Sequence, residues 1–152
     1  MQPVPNSQEL QTLIVSFVRA FGLHNPEMTP CGQPISVSEA HALMELEQER
    51  GIRQQVLADR LNLEKSTVSR LVKKLENRGW IERTTDPADT RAFLLRLTEA
   101  GRKNGQRIQQ ARTETFENLL ESLDPGIYDA VTIGLSALVD ALRINPGRRS
   151  EK

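Results

Sequence analysis

The sequence predicts a mainly α chain carrying one small β-hairpin. Apolar residues recur at three- and four-residue intervals through most of its length, which is helical spacing. One stretch, residues 80–97, instead gathers aromatic and branched residues around a turn-forming centre. Residues that start and stop helices punctuate the remainder.

The first helix takes Asn6 and Glu9 as a capping-box start and Gly22 as a stop, with Leu10, Leu13, Ile14, Phe17 and Phe21 along one face. His24–Pro34 reads as a linker, with prolines at 26, 30 and 34. Ser36 and Glu39 form a second capping box, opening a helix that buries Ala40, Leu43 and Met44 and ends before Gly51. Arg53–Leu61 is a short helix with Val56, Leu57 and Leu61 on its apolar side, stopped by Asn62. The next helix places Val68, Leu71, Val72 and Leu75 at i, i+3, i+4 and i+7, and Gly79 ends it. Trp80–Thr84 and Ala92–Leu97 are strands, with residues 85–91 as the turn between them. Thr98 caps a long helix to about Ser122, although Gly101 occupies the place where a capping box would put Glu. Asp124 and Pro125 restart the chain as a last helix bearing Ile127, Val131, Leu135, Leu138, Val139 and Leu142. Residues 146–152 form a polar tail, expected to be disordered.

Charge narrows the function. The 152 residues carry 20 Lys+Arg and 20 Asp+Glu, yet residues 51–97 hold 10 basic and 6 acidic, against 2 and 6 in residues 1–50. A basic middle on a neutral chain suits a polyanion partner. The single cysteine, Cys31, cannot form an intrachain disulfide. Met1–Leu10 lacks a basic leader followed by an apolar stretch, and no apolar run approaches spanning length. The expected location is the cytoplasm, with no membrane partner. No nucleophile–base pair, phosphate-binding glycine loop or paired-carboxylate motif stands out, so the chain is not expected to be an enzyme and needs no cofactor.

Two short helices joined by a tight turn and followed by a hairpin make a winged helix-turn-helix. With four apolar residues turned inward, the second helix, residues 65–78, turns Lys65, Ser66, Thr67, Arg70, Lys73 and Lys74 outward. Short hydroxyl side chains can approach base edges, Arg70 can reach a guanine edge or a phosphate, and the lysines suit phosphates. A protein-docking helix would expose apolar or aromatic residues instead. The competing function is a winged-helix interaction module without specific DNA binding.

Residues Val56–Leu61, Ser66–Glu76, Arg78–Arg83, Asp86–Arg91 and Leu95–Gly101 resemble the MarR (multiple antibiotic resistance regulator) family of winged-helix transcription regulators. The Asp89-x-Arg91 wing, closed by Leu95-x-Leu97-Thr98, carries most of the likeness. The resemblance implies an obligate homodimer held by helices from both chain ends: residues 1–34 with a linker, and residues 99–145. Residues 35–98 are then the DNA-binding domain, with its wing at 80–97. It further implies a double-stranded operator, repression, and a small-molecule effector of unknown site. Arg91 corresponds to a wing-tip arginine entering the minor groove, oriented by Asp89.

Other residues have plainer readings. Trp80 is expected in the core. Cys31 has no basic neighbour in sequence to activate it. His41 and Glu45, four apart on one helix, have no clustered third or fourth ligand, and no metal site is expected.

Overall fold

A computed structural model of the chain describes residues 6–144. The elements are α1 (Ser7–Phe21), α2 (Val37–Glu47), α3 (Gln54–Leu61), α4 (Lys65–Asn77), β1 (Ile81–Asp86), β2 (Asp89–Leu97), α5 (Glu99–Glu121), a 3-10 turn (Pro125–Ile127) and α6 (Tyr128–Ile144). The expected disorder of residues 146–152 lies outside the described residues. The chain forms two compact units, one ending at Arg112 and one beginning at Thr113.

The first unit holds the core. Ile35, Leu43, Leu46, Leu57, Val68, Val72, Leu75 and Leu95 are almost wholly buried, so α2, α3, α4 and the hairpin share one apolar interior. Each such side chain contributes about 1.5–3 kcal/mol on burial, which outweighs helix propensity here. The Ser36 box forms as read: Ser36 Oγ accepts from the Glu39 N–H, and Glu39 Oε2 from that of Ser36. At α1 only half a box forms, because Asn6 Oδ1 accepts from Gln8 and Glu9 does not reach back. Asn62 adopts φ 57°, the left-handed stop expected of it.

Several expectations are corrected. Val56 is exposed and Met44 only half-buried; Ala42 and Leu46 fill the α2 face instead. The strands run further toward the tip than residues 84 and 92, leaving only Pro87 and Ala88 between them. Thr85 and Asp86 looked like turn residues, but cross-strand pairing to Phe93 and Asp89 overrides that preference, with a register irregularity between them. The sequence also gave no sign that Ile52 would pair antiparallel with Leu95, adding a third chain segment at the hairpin's edge. α4 ends one residue early, with Arg78 as its cap, and Gly79 at φ 71° turns the chain into the wing.

The missing capping-box Glu at α5 has a steric cause. A Cβ on Gly101 would overlap the Trp80 carbonyl oxygen. Thr98 does both jobs at this junction. Its Oγ1 accepts from the Gly101 N–H at 3.0 Å and donates to the Gly79 carbonyl at 2.6 Å. Its own N–H donates to the Trp80 carbonyl at 3.0 Å.

In the second unit Asp124 accepts from the Gly126 N–H, but the chain passes through the 3-10 turn before α6 begins. The Tyr128 hydroxyl donates to the Leu120 carbonyl at 2.8 Å. Neither α1 nor α6 contains a buried residue. Leu10, Leu13, Ile14 and Phe17 on the one, and Val131, Leu135, Val139 and Leu142 on the other, all stand exposed.

Candidate nucleic-acid interface

α4 presents the outward face its sequence implies. Val68, Leu71, Val72 and Leu75 are buried, while Lys65, Ser66, Thr67, Arg70, Lys73 and Lys74 are exposed. Arg70 Nε donates to the Ser66 carbonyl at 3.3 Å, one turn back, which lays its stem along the helix. A shallow depression beside this face is lined by Ser36, Ser38, Thr67, Arg70 and Lys74, so the start of α2 and the middle of α4 border one surface.

The basic residues of 51–97 divide into two groups, apart from Arg96, whose Nε donates to the Arg50 carbonyl. Lys65, Arg70, Lys73, Lys74 and Arg91 enter no salt bridge among the described residues. Arg53, Arg60, Arg78 and Arg83 are each engaged by carboxylates. Arg60 reaches Glu45 and Glu49 at 3.4 and 2.8 Å, fixing α3 against α2. Arg78 lies 3.5 Å from the buried Glu39 Oε1 and 5.1 Å above the Trp80 ring. Arg83, on β1, donates to Glu76 of α4 at 2.7 Å and to Gln54 of α3 at 3.3 Å. The sequence shows four more arginines in a basic stretch. Only the fold shows that these four hold the scaffold together.

At the wing tip Asp86 is buried. Its Oδ1 accepts from the Ala88 N–H at 2.9 Å, and its Oδ2 from Arg53 Nε and Nη2 at 3.0 and 2.8 Å. The Ala88 amide first, and the Arg53 guanidinium second, hold the Asp86 carboxyl below its ordinary range. Asp89 contacts Arg91 through the backbone: Oδ1 accepts from the Arg91 N–H at 3.1 Å. The Arg91 residue is exposed at the tip. Trp80 is half-buried and packs against the core, not presented for stacking.

Other candidates stay apart from this surface. Cys31 is a half-buried free thiol in the linker. Partial desolvation, then Arg112, push the His41 imidazole below its usual pKa, while Glu45 opposes them. No group of three or more metal-ligating side chains occurs among the described residues, and no described helix is long and apolar enough to cross a membrane.

A basic, outward-facing α4, closed by glycine into a hairpin that packs back on α3, makes a winged helix-turn-helix with a basic recognition face. The MarR family model matches residues 35–93. An HTH-type transcriptional regulator of Bacillus subtilis, YdgJ, is 34% identical over 89 residues, a match covering 59% of this chain and 52% of that one. A MarR transcriptional regulator from Methanosarcina mazei has the same fold at TM-score 0.69 and 29% identity, covering 90% of this chain and 99% of its own. FabT of Streptococcus pneumoniae, solved in complex with DNA, matches at TM-score 0.76 and 20% identity, over 91% and 98%. Residues 35–93, which hold α2, α3, α4 and most of the wing, are thus similar to the MarR family.

Proposed function

We propose that the protein is a homodimeric repressor that reads a pseudo-palindromic operator, α4 entering a major groove and Arg91 the neighbouring minor groove. The unpaired state of Lys65, Arg70, Lys73, Lys74 and Arg91, beside four arginines that are all paired, carries this reading. Cations that make no salt bridge among the described residues are available for phosphate, where neutralisation releases counterions. In this reading Ser66, Thr67 and Arg70 face base edges, the lysines hold phosphates, and Asp89 braces the tip behind Arg91. FabT's complex with DNA supports the same use of a shared fold.

The exposed apolar residues of α1, and separately those of α6, support the dimer, since packing against a second copy would remove them from water. Two recognition helices related by a twofold axis engage half-sites roughly 10–11 bp apart. A small molecule favouring another spacing of those helices would release the operator, which is how an effector would relieve repression.

Selection of bound sequences from a random duplex pool, at a fixed salt concentration, tests the reading. Enrichment of an inverted repeat with that spacing is expected. No enrichment would overturn it in favour of a winged-helix module that docks protein.

A further inference from the structure

Arg53 occupies the N-cap position of α3, a place where Ser, Thr, Asp or Asn normally accepts an orphan N–H. An arginine has no acceptor, and no side chain caps this helix. Its guanidinium instead crosses 33 positions of sequence to the wing, where Nε and Nη2 both donate to Asp86 Oδ2. Nη2 also lies 3.7 Å from Asp89 Oδ2. One arginine thus faces both carboxylates of the wing tip.

Those carboxylates are a problem for a DNA reader. Residues 86–91 contain Asp86, Asp89 and Arg91, a net charge of −1 in the segment meant to approach phosphates. We infer that Arg53 is the positioning residue that makes the wing competent for DNA. Its single charge brings Arg53, Asp86, Asp89 and Arg91 together to zero, and it fixes the tip to the start of α3, so that Arg91 is delivered at a set distance from α4. Asp86 works from inside the tip, tying Arg53 to the Ala88 N–H through its two oxygens. Asp89 does the same for the Arg91 N–H. A guanidinium suits this role because its rigid fork keeps direction, as a lysine's ammonium does not. The inference rests on the proposed function, since it presupposes that the wing meets DNA.

The test compares wild type, Arg53→Gln, Asp86→Asn and the double variant, each as the full-length protein, on an operator taken from the selection. Arg53→Gln is expected to weaken binding roughly tenfold, and adding Asp86→Asn to restore it to within about threefold, as coupled pairs behave. A direct phosphate contact by Arg53 would predict no rescue, together with a shallower salt dependence, and that result overturns the inference. In an Arg91→Ala background Arg53→Gln should have little further effect, because the arginine it positions is gone. Hydrogen exchange on the free proteins reads the same claim without DNA. The Ala88 and Arg91 amides should exchange faster in Arg53→Gln, and unchanged rates would overturn the positioning role. A wild type that selects no DNA would sink the proposed function, whereas normal operator binding by Arg53→Gln would sink the Arg53 inference alone.

Discussion

Gly101 has less room than any other glycine of the first unit: a methyl group there meets the Trp80 carbonyl, which is backbone and cannot swing aside. Gly101→Ala should therefore cost about 3 kcal/mol, the upper part of the overpacking range, read as a lowered denaturation midpoint. The same change at Gly105, whose nearest neighbour is the flexible end of Glu47, should be far milder. His41 yields a pH prediction. Its folded pKa lies below 6.5, held down by desolvation and Arg112 against the pull of Glu45. The unfolded chain then binds the proton more readily, so stability is full above that value and falls as pH drops through it. The denaturation midpoint should decline between pH 7.5 and 5.5 more steeply in wild type than in His41→Asn. Equal slopes would exclude His41 as the source.

The two elements proposed to read DNA, α4 and the wing, make separable predictions. Arg70→Ala should weaken specific binding by roughly 1–3 kcal/mol and alter preference at one operator position. A uniform loss across sequences would make Arg70 a phosphate contact. Arg91→Ala should lose most on A·T-rich flanks, where the narrow minor groove concentrates negative potential; equal loss on G·C-rich flanks would refute that placement. α4 was almost fully legible in sequence, because its four apolar residues repeat at helical spacing and leave one polar face by subtraction. The wing was legible as a hairpin but not in extent, since Asp86 and Asp89 look like turn residues until cross-strand pairing claims them. Arg53 could not be found at all. A contact between positions 53 and 86 leaves no local trace, and an arginine at an N-cap simply reads as a weak cap.

At the level of the whole molecule, the apolar faces of α1 and α6 must be covered by something, and the proposal is a second copy. Truncation after Leu123 removes α6 and should abolish the dimer, measured by sedimentation, and with it operator binding. A soluble monomer of that length that still bound the operator would refute the dimeric reading. Charge has the same double character over the chain. The formal net charge is zero, yet Lys65, Arg70, Lys73 and Lys74 share the outward face of α4, while Arg53, Arg60, Arg78 and Arg83 are engaged by carboxylates. The Thr98 junction carries this into kinetics. The Thr98 N–H ends on the Trp80 carbonyl, the Gly101 N–H on Thr98 Oγ1, and the Trp80 N–H on the Leu75 carbonyl at 3.0 Å. No one of these bonds can break by a large displacement without straining the next. Their amides should open in one cooperative event, with a single exchange free energy shared by the end of α4, the root of the wing and the first turn of α5.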